Sequence, residues 1–146
     1  MRKTLSFAFF VAALLSAVGA QAQSPNYSVG PVWRITYVHI KPGQTDAFWN
    51  DVRQHFKSIY EEWKKQGLIV DYKVYTNPVS DRPNDWDVAF ALLYPNWAAL
   101  DQVAAKGFTI AEKHYGSREA MAEAARKRND IAEFEASHLA REVTLK

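Results

Sequence analysis

The chain has no cysteine at any of its 146 positions. This absence excludes thiol catalysis, thiolate metal sites and disulfide bonds. The sequence also has no uninterrupted run of about 20 apolar residues, which is the length that a bilayer-spanning helix needs. Stability must therefore come from packing, and the five Trp, seven Tyr and eight Phe supply the side chains for it.

A large net charge is missing as well. The whole chain has 18 Lys and Arg against 16 Asp and Glu, and two of these cations, Arg2 and Lys3, belong to the amino-terminal segment discussed next. Without them the chain is neutral. A neutral domain lacks the concentrated positive field that supplies non-specific affinity for nucleic acid, so we expect no nucleic-acid partner.

The first 22 residues have the order of a secretory signal peptide. A cationic start is followed by an apolar run over residues 5–18 and by a small-x-small cleavage site at residues 20–22. This order predicts cleavage before Gln23 and export to the periplasm or the extracellular space. It also predicts that no transmembrane segment remains after cleavage.

The rest of the chain is long enough for one domain with one core. We expect a polar leader over residues 23–31 and a single domain over residues 32–146. β-Branched and aromatic residues that alternate between two sides predict strands in this domain. The predicted strands cover residues 32–40, 68–76, 86–94 and 138–145, and the second and third form an antiparallel hairpin.

Apolar residues at intervals of three and four predict a long amphipathic helix after the first strand. Thr45 is a suitable N-cap for it. At the other end, Gly67 predicts a Schellman ending in which Leu68 folds back on Trp63.

Two further helices are predicted later in the chain. Asn96 can cap a helix over residues 97–106 that ends at Gly107, and Ser117 can cap an alanine-rich helix that continues to residue 135. The pattern over residues 108–116 favours neither a helix nor a strand.

The order strand, helix, strand, strand, helix, strand predicts an α+β, ferredoxin-like βαββαβ fold with an antiparallel four-stranded sheet and helices on one face. Five short segments of the chain carry a further resemblance: residues 39–43, 46–48, 63–68, 85–88 and 141–143. In these segments the chain resembles secreted members of the dimeric α/β-barrel superfamily, which includes NIPSNAP-like and antibiotic-biosynthesis-monooxygenase-like domains.

The resemblance implies a homodimer in which two sheets face each other and close into a barrel. The first strand agrees with this, because it places Trp33, Ile35 and Tyr37 on one side and apolar residues such as Val32 and Val38 on the other. One layer of helices covers only one of these sides. The alternative is a monomer whose second side is covered by the leader.

The sequence contains no recognisable catalytic or metal-binding motif. The four histidines, His39, His55, His114 and His138, are never three or four positions apart, so no helical metal-binding pair exists. We predict no metal and no cofactor, and we assign no catalytic residue.

Aromatic side chains, Trp63 and Phe90 among them, could wall a cavity between the sheet and the first helix, where a small apolar or aromatic ligand would bind. The alternative is that these side chains form ordinary core. The candidate pocket residues are Trp33, Tyr37, His39, Trp49, His55 and Trp86.

Charged residues on the predicted strands are a second group of interest. Arg34 could form a structural ion pair with Asp87 or Glu142, since an unpaired buried charge is very costly. The functional alternative is that such residues line a pocket wall and hold a polar ligand.

Two functions remain open at this point, and whether the protein is an enzyme is undecided. The first is a non-catalytic exported homodimer that binds a small apolar or aromatic molecule. The resemblance implies the second, a small monooxygenase-like oxidoreductase that uses Tyr37, His39 or His55 beside an aromatic pocket.

Overall fold

The computed structural model describes residues 26–79 and 85–146, so the predicted signal peptide lies outside the described residues. The four strands form one antiparallel sheet with the order β2-β3-β1-β4. This topology confirms the predicted α+β, ferredoxin-like fold. The strands are β1 (Tyr27–Ile40), β2 (Asp71–Thr76), β3 (Val88–Tyr94) and β4 (Ala132–Leu145).

The first helical run follows β1 and consists of α1 (Thr45–Asp51), a π-helical segment (Val52–Phe56) and α2 (Lys57–Lys65). Thr45 is the first helical residue, and its predicted capping role is wrong because Gln44 occupies the N-cap position.

The carboxyl end of this run is a Schellman motif, as predicted. Gly67 has a φ of +70°, and its amide donates to the Lys64 carbonyl at 3.0 Å. The Leu68 amide donates to the Trp63 carbonyl at 2.9 Å. Glycine suits this position because a left-handed backbone costs it little.

The second helical run consists of α3 (Ala98–Gln102), a π-helical segment (Val103–Gly107) and α4 (Phe108–Tyr115). The Asn96 side chain accepts a hydrogen bond from the Ala99 amide at 3.1 Å and caps the run as predicted. The predicted end at Gly107 is wrong, because this residue has a helical φ of −63° and the helix continues past it. A Cβ at Gly107 would lie 2.9 Å from the Trp63 ring, so the glycine permits a close approach between the two runs.

The last helix, α5 (Arg118–Ile131), begins at the predicted cap, since the Ser117 hydroxyl accepts from the Ala120 amide at 3.1 Å. Its predicted extension to residue 135 is wrong. Ala132 pairs with Ile40 and starts β4, so long-range strand pairing overrides the local helix preference of the alanine-rich sequence. None of the described helices is both long and apolar enough to cross a membrane.

The strand bounds also differ from the prediction. β1 begins at Tyr27, opposite Leu145, so part of the predicted leader belongs to the sheet. β2 begins only at Asp71, although the Val70 amide already donates to the Leu93 carbonyl at 2.7 Å.

Alternate residues of the strands define two faces of the sheet. The covered face packs against the helices, and the buried cluster there includes Val32, Phe90 and Tyr94 with Phe48 from α1. On the opposite face, which we call the open face, the β1 side chains are only partly buried. The β1 members of the open face are Trp33, Ile35, Tyr37 and His39.

Candidate functional site

A cavity of about 180 Å³ lies between the covered face and the helices, and we call it the helix-side cavity. Its polar side chains are Arg34, Thr36, Tyr60, Arg128, Asn129 and Glu133. Most of the wall is aromatic or aliphatic, and it includes Val38, Phe48, Phe56, Phe90, Leu92 and Phe134.

The sheet register places the polar groups of β1 in the middle of this wall. Arg34 pairs with Leu92 of β3 and Thr36 pairs with Phe90, so two polar side chains lie beside two buried apolar ones. The Thr36 hydroxyl also lies 3.3 Å from the hydroxyl of Ser137 on β4.

Of the two arginines that line the cavity, Arg128 forms an ion pair and several hydrogen bonds with neighbouring side chains. The Arg128 guanidinium donates from Nε to Asp51 at 2.7 Å and from Nη2 to Asp51 and the Tyr115 hydroxyl at 3.2 and 2.9 Å. It also lies 4.5 Å from the centre of the Phe56 ring. Burial lowers the pKa of Arg128, but the hydrogen bond and charge of Asp51 outweigh this and hold the pKa above its ordinary value.

The other arginine, Arg34, has neither of the partners predicted for it. Asp87 instead accepts from the Ile40 amide at 2.6 Å and lies 2.9 Å from His39, and Glu142 accepts from Trp33 at 3.3 Å.

The predicted ion pair is wrong because Trp33 and Arg34 are adjacent on a strand and face opposite sides of the sheet. The Arg34 guanidinium lies 5.6 Å from the centre of the Tyr94 ring. Within residues 26–79 and 85–146 it takes part in no ion pair or hydrogen bond.

Two buried phenols lie in the neighbourhood of this guanidinium. Burial raises the pKa of Tyr60 and of Tyr94, and the charge of Arg34 acts in the opposite direction on both. The Tyr94 hydroxyl is buried without a hydrogen-bond partner among the described residues. Because Tyr60 stays protonated at ordinary pH, its hydroxyl can donate a hydrogen bond into the cavity.

The six residues predicted to form a pocket do not come together. Tyr37 and Trp86 are in edge contact with ring centres 5.3 Å apart, and His39 is bonded to the Asp85 carbonyl at 3.1 Å beside them. Trp33 lies further along β1, also on the open face. None of these four lines the helix-side cavity, because they belong to the opposite face.

The other two predicted pocket residues lie on the helical side, but outside the cavity. Trp49 lines a neighbouring groove of about 200 Å³ with Tyr72 and Val74. His55 lies where the two helical runs meet, and its Nδ1 is 3.0 Å from Nε2 of His114. Burial lowers the pKa of His55, with Asp51 acting against this effect.

Sequence reasoning placed Phe90 in the wall of the cavity but did not include Tyr60, and it treated Arg34 mainly as a structural ion. The sequence of β1 nevertheless contains a pattern that points to this cavity. Arg34 lies on the same side of β1 as Val32 and Val38, so a charge, followed by the hydroxyl of Thr36, interrupts an otherwise apolar row. Such an interruption marks a position where the sheet face is not simply core.

No protein-family model matches the chain, and neither does any curated protein. Several crystal structures are similar to it, among them HapK from Hahella chejuensis, with a TM-score of 0.51 and 13% identity over 76% of this chain and 91% of that chain. Protein SO0527 from Shewanella oneidensis has a TM-score of 0.47 and 19% identity over 81% of this chain and 96% of that chain. A dimeric ferredoxin-like protein from an uncultured marine organism has a TM-score of 0.48 and 13% identity over 82% of this chain and 98% of that chain. At these identities the likeness to HapK concerns the fold alone. The chain is a small ferredoxin-like domain.

Proposed function

We propose that this protein is an exported homodimer that binds a small apolar or aromatic molecule in the helix-side cavity. The observation that carries the proposal is the lining: aromatic and aliphatic walls with a few polar groups, which is typical of small-molecule sites. A cavity of about 150 Å³ holds benzene in another protein. The volume of about 180 Å³ therefore suits a ligand of one ring with small substituents.

The alternative, a monooxygenase-like oxidoreductase, has less support from the arrangement of the side chains. Tyr37 and His39 lie on the open face, and His55 is paired with His114 between the helical runs. None of these groups lines the helix-side cavity, where an aromatic substrate would be held.

The dimer is supported by the apolar surface of single chains. On the open face, Ile35 pairs with Ala91 of β3 and His138 of β4, which leaves a shallow apolar centre. On the same face, β2 exposes Tyr75, which pairs with Ala89, by 48%. A second copy would bury these groups, as in the secreted dimeric α/β-barrel proteins among which we place this chain.

Export is proposed from the predicted signal peptide. Expression of the full chain in a bacterial host with cell fractionation should place the protein outside the cytoplasm, with an amino terminus at Gln23. An intact amino terminus on cytoplasmic protein would contradict the proposal.

Ligand binding is tested by calorimetric titration with indole, a neutral aromatic probe. Ala132→Leu adds volume at the buried end of the cavity and should weaken indole binding by about tenfold or more. Ala125→Leu makes the same change on the exposed side of α5 and should leave binding unchanged. Equal affinities in all three proteins would place indole elsewhere, and no binding would remove the proposal.

The dimer is tested by light scattering behind size exclusion. The wild type should elute with twice the mass of the chain, and Ile35→Lys should elute as a folded monomer because it places a charge at the centre of the open face. Ala125→Lys is the matched control on exposed α5 and should remain dimeric. A monomeric wild type, or a dimeric Ile35→Lys, would exclude this interface.

A further inference from the structure

We infer that the ligand of the helix-side cavity carries a carboxylate, and that Arg34 binds it. This inference rests on the proposed binding function and adds the chemical class of the ligand. It starts from the charges that line the cavity.

Three lining side chains are charged, and two of them have partners. Arg128 is neutralised by two hydrogen bonds to Asp51, and Glu133 lies 3.8 Å from the ammonium group of Lys41. The Arg34 guanidinium has no carboxylate partner among the described residues. The cavity therefore has one unmatched positive charge against an apolar wall.

An unmatched guanidinium in such a place is costly unless something compensates for it. The Tyr94 ring at 5.6 Å provides part of this compensation as a cation–π contact. The Arg34 N–H groups make no hydrogen bond to the described residues, so they remain available to bind an anion.

The donors around the cavity match a planar anion. The fork of Arg34 can bind both oxygens of a carboxylate, and the Tyr60 hydroxyl in the same lining can donate to one of them. The apolar body of the ligand would then pack against Phe56 and Phe90, whose rings are stacked with centres 5.3 Å apart.

A phosphate fits this site less well than a carboxylate. A dianion with three terminal oxygens needs more donors and more positive charge than one free guanidinium and one phenol supply. The site therefore favours an aromatic or other apolar monocarboxylate.

The test compares benzoate with benzamide, which has nearly the same shape and no charge, by calorimetric titration of the full chain. We expect the wild type to bind benzoate at least about tenfold more tightly, which corresponds to about 1.4 kcal/mol. Arg34→Gln should abolish this preference by weakening benzoate binding alone. Arg118→Gln is the matched control, because Arg118 also lies over an aromatic ring, Phe108 at 5.4 Å, but on the exposed side of the helices.

The outcomes separate the two proposals. If the wild type binds both probes equally, or if Arg34→Gln keeps the preference, the carboxylate inference is wrong and ligand binding stands. If it binds neither of them, nor indole, both proposals are wrong. If Arg34→Gln fails to fold, Arg34→Lys keeps the charge and loses the fork, and benzoate affinity should fall by several-fold while benzamide affinity stays constant.

Discussion

The covered face and the open face of the sheet come from the same strands, one residue apart, and they are filled differently. On β3 the covered face has Phe90 and Leu92, whereas the open face has Ala89 and Ala91. On this strand, large side chains therefore fill the space under the helices. On the open face, Ala89 lies between the larger residues Tyr37 and Tyr75, whose partly exposed side chains are available to pack against a second sheet.

The two faces also differ in the partners that their charged side chains have. On the open face, Asp87 and Glu142 both accept hydrogen bonds. On the covered face, Arg34 has a ring contact and no anion among the described residues. Lys73 on the open face also has only a ring contact, with Trp33 at 5.9 Å, but its side chain is exposed, whereas Arg34 is partly buried. A partly buried charge without an anion is the arrangement expected of a binding site.

The largest test of this comparison is Phe90→Ala. Phe90 is 4% exposed and contacts the rings of Phe48, Phe56 and Tyr60, so we expect a loss of about 3–5 kcal/mol in the free energy of unfolding. Tyr37→Ala, on the open face, should cost less than half as much in dilute protein. Urea denaturation measures both, and equal losses would mean that the two faces are equally important to the single chain.

A second test concerns the ion pair under the helices. The side chains of Arg128 and Asp51 are only 23% and 17% exposed, so Arg128→Met should cost about 2 kcal/mol by leaving a carboxylate unpaired. Arg126→Met removes an arginine whose pair with Glu123 is 68% and 50% exposed, and it should cost less than about 0.5 kcal/mol. Similar losses by urea denaturation would show that Asp51 is well solvated without Arg128.

A third test probes how tightly the helical layer is packed. Alanine at Gly107 would place its Cβ 2.9 Å from the Trp63 ring, so Gly107→Ala should destabilise the protein by about 1–2 kcal/mol. At Gly30 the nearest atoms, in Glu142, are 3.2 Å away on an exposed edge strand, and Gly30→Ala should cost less. Thermal denaturation gives both values, and a stabilised Gly107→Ala would show that Trp63 has room to move.

The smallest effect concerns pH. Burial lowers the pKa of His55 from 6.5, and the charges of His114 and Arg128 act in the same direction, against Asp51. The folded state then binds fewer protons than the unfolded state, so the free energy of unfolding should fall as the pH drops below 6.5.

His55→Gln should reduce this dependence, measured by urea denaturation at about pH 7.5 and pH 5.5. An unchanged pH dependence in the variant would assign it to other groups.

Structural features that depend on a few adjacent residues could be predicted from the sequence. Features that depend on how distant strands pair in the sheet could not. The Schellman ending at Gly67 and the caps at Asn96 and Ser117 depend on a few adjacent residues, and they are confirmed. The start of β4 at Ala132 depends on pairing with Ile40, far away in sequence, and local alanine content predicted a helix instead.

The candidate site shows the same division between what the local sequence predicts and what depends on the fold. Alternation showed that β1 has two apolar sides, but it did not show which side meets the helices. Trp33 and Tyr37 were therefore grouped with Trp49, from which the sheet separates them. Arg34 was recognised as a possible pocket residue, but its lack of a partner follows only from where Asp87 and Glu142 point.

The π-helical segment Val52–Phe56 has a consequence for the chemistry of the cavity. In an uninterrupted α-helix at 100° per residue, Ile59 would lie roughly 20° from Phe48 around the axis, and Tyr60 roughly 120° away. A π turn takes up one extra residue and shifts everything after it. Tyr60 consequently faces the cavity beside Phe48, while Ile59 turns toward the second helical run with Ile110. If the same residues formed an uninterrupted α-helix, Ile59 would take the place of Tyr60, and a hydrocarbon would replace a hydrogen-bonding phenol in the cavity wall.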